Sequence, residues 1–426
     1  MKWERIRQQW KEKPIELGLE RVQAVRRERN IAASPPIVIT VGGTNGKGST
    51  CAMLESILGC AGYRVGCYTS PDFLSFSERI RVLGQPASDM QLDKAFALTS
   101  ESPHAASLSA FELDTLAALA VFDAVELDVW ILEVGLGGRL DAVNIIDADV
   151  AIVTSIDIDH AAYLGNTREA IGYEKAGIYR PGKTAICSDP QPPKTLIDHA
   201  EKIGADLWLF GRDFNYNGDK QQWNFGGRSQ RRVALGYPSL RGANQLLNAS
   251  AVLAALESLR MRLPVGAQDV RTGLVTIDLP GRFQVLPGLP LVILDVAHNP
   301  HAAATLSQNL DNMGFHPYTY GVFGAMADKD IDGIIAHLKG RIDHWCVTDL
   351  PAPRGASAEM LKRKLLGAGV TAQPGQDAES TIRTFTTPAQ AYADAHRRAG
   401  ESDRIAVFGS FVTVAGVMQA RRSGHH

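Results

Sequence analysis

Residues 37–50 read IVITVGGTNGKGST, a β-branched run that gives way to glycines, a lysine and hydroxyls. Just after it, apolar positions at Met53, Leu54, Ile57, Leu58 and Ala61 repeat with the spacing of one buried helix face. A buried strand, a glycine turn and a helix in that order commit the chain to parallel βαβ architecture, because the helix must carry it back before the next strand. Gly62 stands where that helix stops. The turn suits an anion. N–H groups and the dipole of the first helical turn point into it, glycines let the backbone approach, and Lys47 adds a mobile charge. In the usual phosphate-binding spelling Lys is followed at once by Ser or Thr. Here Gly48 intervenes, so Ser49 becomes the hydroxyl offered to a metal. A glycine turn with a solvent lysine is the alternative reading.

The same alternation continues. Strands are expected at RVGCY (64–68), VWILEV (129–134), DVAIVTS (149–155) and TAIC (184–187), and the polar, glycine-rich 211–232 reads as hairpins or a loop. LPGRFQVLPGLP (279–290) is dense in Pro and Gly and reads as a linker. Beyond it come LVILDV (291–296), YTYGVF (318–323), HWCVT (344–348) and RIAVFGS (404–410). The expected organisation is an α/β domain over 1–280 with a mainly parallel sheet, a hinge at 281–288, and a smaller α/β domain over 289–426. A second glycine motif, EVGLGG at 133–138, has Leu140 where a dinucleotide fingerprint needs its third glycine, which argues against that cofactor.

At 426 residues the chain exceeds one ordinary core, in keeping with two domains. A net charge of −2 offers no basic face for nucleic acid. Five cysteines without close pairing suggest neither a zinc site nor a disulfide framework and fit a reducing cytoplasm. The charged start MKWERIRQQWKEKP is no signal peptide, and the longest apolar run, 115–122, is too short for a bilayer.

Several polar residues fall at the C-terminal ends of expected strands, where sites of open α/β sheets lie. Glu133 ends VWILE and can hold Mg²⁺ against nucleotide phosphates, or cap a helix. Ser70 follows the 64–68 strand, and ordinary turn chemistry accounts for it equally well. His160, in SIDIDH, reaches the same edge, although imidazole is an unusual ligand for a hard cation. Lys175, in EKAGI, has small neighbours, with an ion pair to Glu174 as the alternative. Gln245 and Asn248 share a helix face, which suits a base or ribose contact or a cap. Asp295 and His298 follow the 291–296 strand, either as a site or as a structural pair, and Arg282 lies in the linker.

Taken together, VGGTNGKGST, SERIRV (77–82), ILEVGLGGRLDAVNI (131–145), TSIDIDHAAYLG (154–165), EKAGI, LPGRF (279–283) and LDVAHNPHAA (294–303) resemble the folate-adding members of the Mur ligase superfamily. The likeness runs from GLERV (18–22) to GSFVTVAGVM (409–418), and that family spells its phosphate loop with the extra glycine. The resemblance implies a P-loop central domain, a Rossmann-like C-terminal glutamate-ligase domain, and an ATP-dependent ligase that adds L-glutamate to dihydropteroate and to reduced folates. Carried over by position, Thr44, Asn45, Gly46, Lys47, Gly48 and Ser49 hold the triphosphate. Asn248, Arg282 and Asp295 match nucleotide contacts. Ser70, Glu133 and His160 match magnesium ligands, with two Mg²⁺ sites, and Lys175 matches a lysine that becomes a carbamate ligand. Ser109, Ala110, Phe111 and Glu112, with Leu140, Asp141 and Ala142, match the dihydropteroate pocket. Phe111 is placed to stack on the pterin and Asp141 to hydrogen-bond its amino-pyrimidine edge. Lys47, Lys175 and His298 are the catalytic candidates, His298 near the incoming phosphate or glutamate.

The implied chemistry is phosphoryl transfer to a carboxylate, then attack of the glutamate amine on the acyl phosphate. Nucleotide contacts on two domains imply closure about the hinge. A cytoplasmic monomer without membrane or nucleic-acid partners is expected, and a requirement for K⁺ or another monovalent cation is left open. The chain departs from the family at SPDF (70–73), where SPHL is common, at Ala110, where an aromatic residue is frequent, and at Ala161 and Ala162 after His160. These border the pterin loop, so the balance between the two activities is open. A monofunctional folylpolyglutamate synthase, a cell-wall Mur ligase acting on a muramyl carboxylate, and a nucleotide-binding scaffold without turnover are the competing readings.

Overall fold

A computed structural model describes residues 1–11, 13, 16–219, 221–242, 244–352, 354–371 and 381–424. The chain forms two compact units, one of residues 1–239 and 245–278, the other of residues 240–244 and 279–426.

The first unit is built on an eight-stranded sheet. Its strands are β1 (Ile37–Gly42), β2 (Val65–Tyr68), β3 (Ile80–Val82), β4 (Gln85–Pro86), β5 (Val129–Glu133), β6 (Val150–Val153), β7 (Thr184–Cys187) and β8 (Asp206–Leu209), in the order β4-β3-β2-β5-β1-β6-β7-β8. From β2 to β8 the neighbours in that order run parallel, and β3 and β4 complete one edge as antiparallel strands. The parallel strands are apolar because helices cover both faces. Met53, Leu54, Ile57 and Leu58 are all buried on the helix Lys47–Cys60, as the spacing requires. From β1 the chain steps to one side, to β2 and β5, and then crosses to the other, to β6, β7 and β8. The C-terminal edge at β1 is therefore the crevice where ligands of such sheets bind.

The 211–232 stretch, read as hairpins or a loop, contributes to an antiparallel sheet of β9 (Asn215–Gly218), β10 (Gln222–Gly226) and β11 (Arg231–Gly236). Buried Glu257, on the helix Gln245–Ser258, pins its β10–β11 turn by accepting from Ser229 N at 2.6 Å and Gln230 N at 3.1 Å.

The second unit has a six-stranded sheet of β12 (Gln284–Leu286), β13 (Leu291–Leu294), β14 (Thr319–Phe323), β15 (His344–Thr348), β16 (Ile382–Phe385) and β17 (Arg404–Phe408). Its order is β12-β13-β17-β14-β15-β16, parallel except for β12. Residues 281–288, read as a linker, thus carry an edge strand of this sheet. Among the described residues no helix is long and apolar enough to cross a membrane.

Candidate active site

The loop 43–46 is held down from the β6 side. Thr44 N donates to Ser155 O at 2.6 Å and Asn45 N to Ser155 Oγ at 3.2 Å. Thr154 Oγ1 donates to Asn45 O at 2.7 Å and Gly42 O at 3.1 Å, and Thr44 Oγ1 donates to Asp157 O at 3.0 Å. Two glycines are forced by this fit. Gly43 has φ +138° and a Cβ there would stand 1.8 Å from Thr154 Oγ1; Gly46 has φ +95° and its Cβ would stand 2.6 Å from Asn248 Oδ1. Asn248 therefore lies directly against the loop, and its Nδ2 donates to Gln245 Oε1 at 3.2 Å. Lys47 folds over the loop, its Nζ on Gly43 O at 3.0 Å and Thr44 O at 3.2 Å. Gly48 and buried Ser49 form the first helical turn.

Glu133, the last residue of β5, is paired in register with Val41 and is buried. Its Oε2 accepts from Ser70 N at 3.1 Å, so the ends of β2 and β5 meet as the candidate ligand pair requires. His160 enters from the loop after β6 with φ +52° and a 42% exposed side chain, its Nε2 3.9 Å from Asp159 Oδ2. No group of three or more His, Cys, Asp or Glu residues able to hold a metal occurs among the described residues. The candidate set contains only two such side chains. A hydroxyl and a carboxylate are hard oxygen donors that fit Mg²⁺, with nucleotide oxygens and water completing the shell.

Lys175 lies in the last turn of the helix Arg168–Ala176 and is 4% exposed. Burial first, then the ammonium of Lys47, pulls its pKa down to about 7, while the carboxylates of Asp159 and Asp141 oppose the fall. The alternative ion pair with Glu174 is not made in its simple form, since Glu174 gives its carboxylate to Arg139 at 2.8 Å. Asp159, which the sequence reading passed over, is thus a charged neighbour of both His160 and Lys175. Its only signal was its place just before the histidine.

Ser109 and Glu112 form a capping box at the start of the helix Ala110–Asp123, and Glu112 also takes Arg21 Nη2 at 3.0 Å. Their first role is therefore structural, and Arg21 is a neighbour that sequence reasoning did not assign. Phe111 lies over Gly135, where a Cβ would be 2.4 Å from its ring, and its ring centre is 6.2 Å from that of Tyr68. Asp141 accepts from Leu136 N at 2.7 Å and Val143 N at 3.1 Å, and burial raises its pKa to about 6. The Gly135 amide also bonds this carboxylate, which leaves one lone-pair site for a ligand. Half-buried Leu140 and buried Ala142 flank it.

In the second unit, Asp295 follows β13 and accepts from Phe283 N at 3.0 Å and Ala297 N at 2.8 Å. Desolvation raises its pKa to about 6 against Arg282 and His298. The Arg282 guanidinium lies 4.9 Å from the Phe411 ring centre and the His298 ring 6.3 Å from it, so these two candidates meet at Phe411, which sequence reasoning missed in GSF (409–411).

Comparison with known proteins places these features in one context. The Mur ligase middle domain matches residues 41–256, and the Mur ligase glutamate ligase domain matches residues 281–411. The dihydrofolate synthase/folylpolyglutamate synthase of Escherichia coli K12 is 44% identical over 97% of this chain and 94% of its own length. A solved structure of E. coli FolC in complex with DHPP and ADP matches with a TM-score of 0.91 at 41% identity, covering 100% of this chain and 98% of that one. A bifunctional folylpolyglutamate synthase/dihydrofolate synthase with Mn, AMPPNP and L-glutamate bound matches with a TM-score of 0.89 at 40% identity, covering 99% and 98%.

Proposed function

The chain belongs to the Mur ligase family, in its dihydrofolate synthase/folylpolyglutamate synthase branch, and from that premise we infer that it joins L-glutamate to dihydropteroate and to the glutamate tails of reduced folates. The observation that carries the reading is the junction at β1. A glycine-bound phosphate loop, the Ser70–Glu133 pair and the Phe111–Asp141 wall all rise from one sheet edge.

The carboxylate of the acceptor is a poor electrophile. Its oxygen takes the γ-phosphoryl group of ATP, forming an acyl phosphate and ADP. The free amine of glutamate then attacks the acyl carbon, the amide bond forms, a proton leaves the nitrogen and phosphate departs. Lys47 neutralises charge beside the transferring group, and the loop amides hold the phosphates in line. Mg²⁺, held by Ser70, Glu133 and His160, supplies charge neutralisation across the phosphates when bound. Phe111 gives the pterin a stacking face and Asp141 an acceptor for its amino edge. Asn248 contacts the nucleotide beside the phosphate loop, and Arg282, Asp295 and His298 are the candidate set of the second unit.

Lys175 is carbamylated by CO₂ in this reading: the neutral amine that burial favours attacks CO₂, loses a proton and becomes an anionic ligand. Labelled bicarbonate should give a carbamate carbon resonance that Lys175→Arg lacks; an unchanged spectrum would remove the carbamate.

The test of function is phosphate release from Mg-ATP and L-glutamate with dihydropteroate, tetrahydrofolate or no acceptor. Release with each acceptor and none without is expected. Release with tetrahydrofolate alone would leave a chain-extending synthase, and silence with both would overturn the reading.

A further inference from the structure

Behind the acceptor wall lies a charge cluster to which this reaction gives no part. Asp114, on the helix Ala110–Asp123 and 1% exposed along its side chain, takes Arg7 Nε on Oδ1 at 2.8 Å and Arg7 Nη2 on Oδ2 at 3.1 Å. The same Oδ2 accepts from Arg79 Nη1 at 3.2 Å, and Arg79 Nε donates to Asp72 Oδ1 at 2.5 Å. Arg79 is thus a bridge between two carboxylates, one on the helix and one on the loop 70–78. Both guanidiniums also lie over the Phe76 ring, at 4.3 Å for Arg7 and 5.4 Å for Arg79. Two arginines against two aspartates leave the cluster neutral, whereas loss of Asp72 would strand a positive charge in a desolvated place.

Both ends of the bridge lead to the acceptor wall. Asp114 stands one helical turn after Phe111, and its neighbour Thr115 donates to the Tyr68 hydroxyl at 3.4 Å, beside the ring that stacks on Phe111. Asp72 lies two residues past Ser70. The next three amides, of Phe73, Leu74 and Ser75, all turn onto the Glu78 carboxylate, at 2.9, 3.3 and 3.2 Å. Glu78 therefore fixes the internal shape of the loop, and Arg79, the next residue, fixes its place against the helix. Ser70 is anchored separately, by its N–H on Glu133.

We propose that Asp72 and Arg79 are positioning residues for the acceptor. Their bridge to Asp114 holds residues 71–75 against the helix that carries Ser109–Glu112 and sets the width of the pterin pocket without touching substrate. This rests on the acceptor reading above. Because Ser70 has its own anchor, loosening the bridge moves the acceptor loop and spares the metal side.

Steady-state kinetics of Asp72→Asn and Arg79→Lys test it. Asn removes the charge, and a lysine point charge cannot bridge two carboxylates as a planar fork does. The KM for dihydropteroate and for tetrahydrofolate should each rise about tenfold, below the roughly hundredfold that a full ångström of misplacement costs, with kcat and the KM for ATP within about twofold. The double variant should add little to either single change, since both break one bridge. Asp72→Glu, which keeps the carboxylate, should recover most of the acceptor affinity. Unchanged acceptor KM values in both single variants would overturn the proposal. A matching rise in the KM for ATP with loss of kcat would also overturn it, because that marks general loosening. A wild-type enzyme without acceptor-dependent phosphate release would overturn the functional reading itself, and this inference with it.

Discussion

Residues 42–47 and residues 70–79 both leave the C-terminal edge of one sheet, the first from β1 and the second from β2, and they are fastened by different chemistry. The nucleotide loop is held by backbone groups and neutral hydroxyls, those of Thr44, Thr154 and Ser155, around glycines that admit no side chain. The acceptor loop is held by ions, with Glu78 gathering its amides and Arg79 bridging Asp72 to Asp114. Neutral anchoring leaves the field at the phosphate loop to the helix dipole and Lys47, which is what a polyanion needs. Ionic anchoring depends on side chains rather than on φ, so the acceptor loop tolerates sequence change as long as charge balances. At Asp72 that balance is met by Arg79.

Substitutions at each loop should therefore fail in different parameters. Lys47→Ala should lower kcat about a thousandfold while the unfolding midpoint stays near wild type, since it removes charge stabilisation of phosphoryl transfer. Wild-type turnover in that variant would break the comparison at its root. Gly46→Ala should weaken ATP binding roughly tenfold to a hundredfold, the scale of forced backbone strain plus a clash with Asn248, and leave acceptor affinity alone. Glu78→Gln, on the ionic side, should raise the acceptor KM about threefold, as a charge-assisted set of amide bonds becomes neutral. If ATP affinity fell instead, the two loops would not be separable. The smallest effect is expected of Thr154→Val, about 1 kcal/mol of stability from two lost hydrogen bonds, read in denaturant unfolding, with acceptor affinity unmoved.

Much of this could be read from the sequence because parallel strands buried on both faces spell long apolar runs. IVITV, VWILEV and RIAVFGS start with β1, β5 and β17, the last two running past the strand ends at Glu133 and Phe408. The edge strands β8, β12 and β16 were not read, and 284–286 sits amid prolines and glycines that read as a linker. Ser70 and Glu133 were singled out by their place at strand ends, and in the structure the Ser70 amide donates to the Glu133 carboxylate. Arg21, Arg79 and Phe411 were not found, because what singles them out is a contact across dozens of residues, as between Arg79 and Asp114. Periodicity carries no such information.

The central claim is that one pocket serves two acceptors, and the most direct measurement is phosphate release with saturating dihydropteroate and tetrahydrofolate present together. The account predicts a rate between the two single-acceptor rates, because the acceptors compete for the same wall of Phe111 and Asp141. A rate equal to their sum would contradict it, and would require two independent sites.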